Sequence, residues 1–252
     1  MKKMKLVMVG NGMAGVRALE ELLKIAPEMY DITVFGAEPH PNYNRILLSP
    51  VLAGEQTMDE IILNDWAWYT DNHITLHAGW TVMSVDRVKR LVHATNAAGE
   101  TLAAEYDRLV LATGSNPFML PIPGKDLAGV LAYRDIADTL GMIDAATKYK
   151  HAVVIGGGLL GLEAANGLMK RGMSVNVVHV MPTLMERQLD TVAGKLLQQS
   201  LQERGMGFLM GAQTQELVGG DDGRVKAVKF KDGTEVPADL VVMAVGIRPN
   251  TA

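Results

Sequence analysis

The 252-residue chain contains no cysteine. Disulfides, thiolate-held zinc, iron–sulfur clusters and redox-active dithiols are therefore excluded within it. It also lacks a basic excess: 24 Lys and Arg stand against 28 Asp and Glu, a net charge of −4. With no surplus to neutralise phosphates in bulk, nucleic acid is a poor partner. Long apolar runs are missing too. The stretch Leu240 to Val245 is strand-sized, far short of the ~20 residues that span a bilayer. Met1 to Lys5 followed by Leu6 to Val9 opens like a signal peptide. Gly10, Asn11 and Gly12, then Arg17, Glu20 and Glu21, break the run with no cleavage-type site. A cytoplasmic protein without a membrane span is expected. The six histidines show no ligand spacing, so no metal site is expected.

What is present is the usage of a folded protein, with 48% hydrophobic and 21% charged residues, and one pattern that occurs twice. Lys5 to Val9 is an apolar strand, followed by the turn Gly10-Asn11-Gly12-Met13-Ala14-Gly15. A helical stretch then runs to Ile25, and a second apolar strand covers Asp31 to Phe35. His151 to Ile155 repeats the strand, Gly156-Gly157-Gly158-Leu159-Leu160-Gly161 repeats the turn, and a helix through Arg171 leads to a strand at Ser174 to Val178. Each is a βαβ unit, whose strands should be parallel and buried on both faces.

The glycine spacing has a physical purpose. The first glycine makes the tight turn, the second lets a pyrophosphate approach the backbone, and the third packs helix on strand. The N–H groups of the next residues, Met13 and Ala14 or Leu159 and Leu160, then face the phosphates from a helix N-terminus. One such motif is weak evidence; two, each with a strand before and a helix after, point to two dinucleotide sites. A prosthetic flavin with a mobile nicotinamide is the natural pair, because hydride passes directly between them. Glu38 lies 23 residues past Gly15, near the ~20 at which an acid accepts from an adenosine ribose. A solvated loop acid beside Pro39 is the alternative.

Between the two units, Trp80 to Val85, Leu91 to Thr95 and Thr101 to Ala104 predict an antiparallel meander. Tyr106 to Ala112 predicts a strand, and Pro117, Pro121 and Pro123 suit a crossing between domains. Asp190 to Arg204 predicts a helix, Gly219 to Gly223 and Lys231 to Gly233 hairpin turns, and Asp239 to Val245 a buried strand. Trp66, Trp68 and Trp80 are expected to pack in core or loops, and the 16 methionines to fill the core.

With these motifs the chain resembles the pyridine-nucleotide disulfide oxidoreductase-like flavoproteins. Ala112-Thr113-Gly114, the turn Gly156 to Gly161 followed by Glu163, and Val245-Gly246-Ile247-Arg248-Pro249-Asn250 complete the likeness, which covers essentially the whole chain. Tyr43 to Ser49 and Leu184 to Asp190 look most like the N-terminal flavoprotein part of NAD(P)H-dependent nitrite reductase large subunits.

The resemblance implies an α/β fold of glutathione-reductase type, with two Rossmann-like dinucleotide-binding domains. It places the first segment of an FAD domain at 1–118 (including the meander at 80–104), an inserted NAD(P) domain at 119–238, and the start of the FAD domain's return at 239–252. It implies FAD on Gly10, Gly12, Gly15, Arg45, Ala112, Thr113, Gly114 and Gly246, and NAD(P)H on Gly156, Gly158 and Gly161. Glu163 would approach the nicotinamide near the flavin. The competing account of Glu163 is an acid near a helix start that gains from the dipole without any ligand, and Arg134 reads better as a helix-start charge than as a flavin contact. Electrons would leave to downstream domains or a small redox partner, and a homodimer is left open. The Gly-Asp motif of the family's returning FAD segment, and the iron–sulfur and sirohaem segments of nitrite reductases, are not in the sequence, so a C-terminally truncated FAD domain is expected.

Three departures qualify the likeness. His179 stands where NAD-preferring relatives carry an acid, and Arg187 is nearby, so NADH and NADPH both remain open. Pro50 replaces the Lys of the ferredoxin-reductase branch, which turns the reading toward nitrite reductases. The absence of cysteine removes the disulfide reductases' route. A stand-alone ferredoxin or rubredoxin reductase, and a non-catalytic nucleotide-binding module, are the alternatives.

Overall fold

The computed structural model describes residues 3–251. The chain forms two compact units: one holds the residues up to Arg45, Met58–Ser115 and those from Pro249, the other Ile46–Thr57 and Asn116–Arg248.

In the first unit, β1 (Met4–Val9), β2 (Tyr30–Gly36), β3 (Ile74–Ala78) and β4 (Arg108–Leu111) form a parallel sheet in the order β3-β2-β1-β4. The apolar run of β1 is buried at Leu6, Val7, Met8 and Val9, as a central parallel strand requires. Helix α1 (Met13–Ile25) buries Gly15, Val16 and Leu19, the stripe set by helical spacing. Arg17, Glu20, Glu21 and Lys24 pair on its wet face. Helix α2 (Trp66–Asp71) precedes β3. The predicted meander is present as Trp80–Asp86, Leu91–Asn96 and Thr101–Glu105, paired antiparallel. Its Val92 and Ala94 pack with Val7, Val9 and Phe35. Of the tryptophans, Trp68 and Trp80 pack on these cores, whereas Trp66 lies half exposed on α2.

The second unit is built on a parallel sheet of β5 (Val130–Ala132), β6 (His151–Ile155), β7 (Ser174–His179), β8 (Gly207–Met210) and β9 (Leu240–Met243), in the order β5-β9-β6-β7-β8. Helices α3 (Ile136–Lys148), α4 (Leu159–Lys170) and α5 (Thr191–Glu203) belong to it. A three-stranded antiparallel sheet, Thr214–Gly219, Val225–Phe230 and Glu235–Pro237, turns at the two predicted hairpins. Val153, Phe230, Val241 and Met243 are among the residues of the core it shares with the parallel sheet. Among the described residues, no helix is long and apolar enough to cross a membrane.

Two of the sequence-based boundaries are corrected. Residues 239–248, expected to begin the return to the first domain, belong to the second unit, because β9 pairs on one edge with β5 and on the other with β6. The segment 46–57, placed inside 1–118, also belongs to the second unit. Its short helix Leu48–Leu52 ends on the guanidinium of Arg171, which donates from Nε to the Leu52 carbonyl and from Nη2 to that of Val51 at 3.0 Å. Leu52 itself is fully buried against Gly167 of α4, where a Cβ would stand 2.6 Å from Leu52 Cγ.

Candidate functional site: two glycine cradles

Both parallel sheets change direction of growth beside the first strand of their βαβ unit. In the first unit the chain adds β2 and β3 on one side of β1, then β4 on the other; in the second it adds β7 and β8 on one side of β6, then β9 on the other. Ligands of open α/β sheets bind at this switch point, outside the carboxyl ends of the strands. Gly10 and Gly156 stand there.

The three glycines of each turn meet three different surroundings, and the two turns agree. Gly10 and Gly156 have φ of 111° and 126°, and a Cβ on them would lie 2.1 Å from the Ala112 carbonyl oxygen and 2.3 Å from that of Ala244. These positions hold the turn against the opposite strand end. On Gly15 a Cβ would meet Met8 Sδ at 2.9 Å, and on Gly161 the Gly156 carbonyl oxygen at 1.9 Å. Those close helix onto strand. A Cβ added to Gly12 or Gly158 would meet nothing within 4 Å beyond its own turn and helix, so no packing demand explains glycine there. Open space above bare backbone is what a pyrophosphate needs.

The helix starts point the same way. Asp65, Asp135 and Asp190 cap α2, α3 and α5 by accepting from the N–H of Trp68, Asp138 and Ala193. Helices α1 and α4 begin at Gly12 and Gly158 with no side-chain cap and no acid in the first turn. Their leading N–H groups and positive dipole ends lack the usual side-chain acceptor. Such ends are suited to receive an anion.

In the second unit the cradle opens into a cavity of about 930 Å³, lined by Gly156 to Leu160, Tyr133, Arg134, Val178 to Met181, Glu186 to Gln188 and Met243 to Ile247. A cavity of this size falls in the range of small-molecule and cofactor sites. Gly246, read from the sequence as cofactor-binding on the return to the first domain, lines this cavity in the second unit. It follows β9, whose pairing beside β6 delivers it to the same sheet edge as Gly156.

His179 ends β7 at this edge and is buried. Its Nδ1 accepts from the Gly157 N–H at 3.1 Å, and its Nε2 lies 3.0 Å from Glu186 Oε2. Burial works to raise the Glu186 carboxyl, but its own backbone N–H, His179 and Arg187 outweigh that and hold it below the usual carboxylate range.

Glu163 is the fifth residue of α4, beyond the first turn, so the helix-dipole account is set aside. Ser49 Oγ donates to Glu163 Oε2 at 2.7 Å, and Tyr133 Oη donates to Ser49 Oγ at 3.0 Å. Burial, partly offset by the Ser49 bond, pushes the Tyr133 phenol up to about 12. Arg134 sits just before the Asp135 cap, its N–H donating to Asp138 at 2.7 Å.

In the first unit, Glu38 and Arg45 are brought together. Glu38 accepts from Arg45 Nη2 at 2.5 Å and from Tyr43 Oη at 2.7 Å, and the guanidinium lies 5.1 Å from the Tyr43 ring centre. Ala112, Thr113 and Gly114 follow β4. Thr113 Oγ1 donates to the Asn250 carbonyl at 2.7 Å, and the Asn250 N–H donates to that of Gly114 at 3.0 Å. Sequence reasoning missed Glu186 and Tyr133 as site residues. The first lies inside the Leu184–Asp190 motif and the second next to Arg134, so proximity to singled-out residues was the available signal.

Comparison with known proteins agrees with this geometry. The chain is 59% identical over 251 residues to the NAD(P)H nitrite reductase of Bacillus subtilis (strain 168), covering 100% of the chain and 30% of that protein. It is 47% identical over 250 residues to the assimilatory nitrate reductase electron transfer subunit of the same organism, covering 99% and 32%. The chain thus spans about a third of the length of these relatives. Among solved structures it superposes on the NAD-dependent persulfide reductase of A. fulgidus with a TM-score of 0.90 at 27% identity, covering 98% of this chain and 47% of that one. Against a covalent putidaredoxin reductase–putidaredoxin complex the TM-score is 0.89 at 30% identity, covering 99% and 60%. Residues 4–252 match the family model of the pyridine nucleotide-disulphide oxidoreductases, and the chain belongs to that family.

Proposed function

We propose that the first unit holds FAD, that the second receives NAD(P)H, and that the chain is the electron-input module of an NAD(P)H-dependent nitrite reductase in the cytoplasm. The observation that carries this reading is the pair of uncapped glycine turns at the two switch points, with open space above Gly12 and Gly158. When bound, NAD(P)H supplies a hydride and FAD the ring that accepts it and releases electrons singly.

The chain's own residues bind and orient. The N–H groups at Met13, Ala14, Leu159 and Leu160 stand at the helix ends where phosphates are neutralised. Gly10, Gly15, Gly156 and Gly161 fix those ends, and the strand end at Ala112 to Gly114 closes the first crevice. Glu38, steadied by Tyr43 and Arg45, is the candidate acceptor for the adenosine ribose of FAD, and Arg45 is close enough to the same carboxylate to share its phosphate-side surroundings. Glu163 receives a directed hydroxyl chain from Tyr133 through Ser49, so its carboxylate is oriented without the lysine that Pro50 displaces. No side-chain nucleophile is required; proximity and orientation carry the rate.

The relatives named as nitrite reductase and as an electron transfer subunit support onward delivery to a downstream domain or a small redox partner. A ferredoxin-type acceptor is the second reading, favoured by 35% identity over 245 residues to the ferredoxin–NAD(+) reductase component of a biphenyl dioxygenase system of Paraburkholderia xenovorans.

The test is anaerobic reduction of the native-length protein loaded with FAD. Rapid bleaching of the flavin band by NADH or NADPH is expected. A tightly held flavin that neither dinucleotide bleaches would refute hydride transfer and leave a non-catalytic binding module.

A further inference from the structure

The position that commonly reads the nicotinamide dinucleotide's adenosine ribose is the end of the second strand of its βαβ unit, where an acid accepts from the ribose hydroxyls. Here that position is His179, whose imidazole offers the ribose no anionic acceptor. Its Nδ1 accepts the Gly157 N–H at 3.1 Å, which places the ring proton on Nε2, and Nε2 faces Glu186 Oε2 at 3.0 Å.

The loop after β7 is built to bring Glu186 back to this ring. Leu184 is fully buried beneath Gly157, where a Cβ would stand 2.8 Å from Leu184 Cδ2 and 2.7 Å from His179 Cγ. The Met185 N–H then donates to the Gly157 carbonyl at 3.1 Å. Met185 itself has φ of 50°, an uncommon conformation for a side-chain-bearing residue that is retained where the surroundings enforce it. The next residue, Glu186, is thereby turned onto His179 at the wall of the cavity.

We propose that Glu186, presented by His179, takes the place of the missing strand-end acid, and that it selects NADH over NADPH by accepting from the adenosine ribose hydroxyls and repelling a 2′-phosphate. The proposal rests on the second unit being a nicotinamide dinucleotide site. One carboxylate oxygen is engaged by His179, and a carboxylate has about four acceptor positions, so capacity for a ribose remains. The competing group is Arg187, which also lines the cavity and would favour the phosphate instead.

Calorimetric titration of the chain with NAD+ and with NADP+ tests this without turnover. Wild type should bind NAD+ about tenfold or more tightly than NADP+, the scale of one charge-assisted hydrogen bond. Glu186→Gln, an exposed and isosteric change, should bring the ratio close to unity, and His179→Gln should move it the same way by releasing the carboxylate. Equal or tighter NADP+ binding by wild type, lost in Arg187→Ala, would overturn the proposal and assign the site to NADPH. An unchanged ratio in Glu186→Gln would overturn it as well. Binding of neither dinucleotide would instead strike the underlying reading of the second unit, and the selectivity proposal with it.

Discussion

Replacing Gly158 by alanine separates a glycine kept for a ligand from one kept for the fold. Its backbone, at φ −82° and ψ 177°, is extended and open to alanine, and an added Cβ meets nothing within 4 Å. Two small terms act on stability. Alanine is a poorer N-cap than glycine by about 0.5–1 kcal/mol. Lower entropy of the unfolded chain returns about 0.4–1 kcal/mol. The sum is close to zero, so the melting temperature should move by no more than about 2 °C. Gly161→Ala differs completely, because its Cβ would stand 1.9 Å from the Gly156 carbonyl oxygen. Relief requires the helix to lift from β6, an overpacking that costs about 1–3 kcal/mol or more. In NADH titrations, Gly158→Ala should weaken binding about tenfold or more by filling the approach to the leading N–H groups while keeping the wild-type melting curve. A Gly158→Ala protein that melts several degrees early, or that binds NADH like wild type, would refute the assignment of that open space to a pyrophosphate.

Other consequences follow from single contacts. Ser49→Ala removes the bridge between the buried Tyr133 phenol and Glu163, and should lower stability by about 1–3 kcal/mol in urea unfolding. The same tyrosine, raised by burial from 10.0 to about 12, favours its neutral form in the fold. Its contribution to stability is intact below pH 10 and is lost as the pH climbs to about 12, so absorbance titration should show its ionisation delayed and Tyr133→Phe should remove that step. Arg171→Ala should free the carbonyls of Val51 and Leu52, speeding amide exchange in Leu48–Leu52 and costing about 2–3 kcal/mol. Arg171→Lys should rescue little of this, because an ammonium cannot reproduce the fork.

Local signals carried much of this architecture. The apolar runs of β1 and β6, the glycine spacing and the stripe Val16–Leu19 are dictated by neighbours in the chain, and each formed the element that its periodicity implied. Helix α3 shows the limit: the sequence marks its start, by the helix-start charge of Arg134 and by Asp135, which caps it by accepting from the Asp138 N–H, but not its extent. The segment Ile46–Thr57 joined the second unit because Arg171, more than a hundred residues away, holds its carbonyls; no local feature of 46–57 announces that partner. Likewise the place of Gly246 beside Gly156 is decided by the pairing of β9 with β6, which its order in the chain does not announce.

The same distinction explains the candidate site. Glycines could be found from spacing because their role depends on backbone geometry within six residues. His179 read as a defect, since a lone strand-end histidine offers a ribose no anion. What restores the carboxylate is a return of the chain through a left-handed Met185 and a buried Leu184 that fits only beneath a glycine at 157. That arrangement depends jointly on residues 157, 179, 184, 185 and 186, and none of them carries the signal alone. Substituting Gly157 should therefore disturb selectivity between dinucleotides even though it carries no side chain of its own: a Cβ there would stand 2.7 Å from His179 Cγ, in the ring that holds Glu186. If Gly157→Ala kept both the fold and the wild-type preference, the histidine would not be the support on which the carboxylate depends.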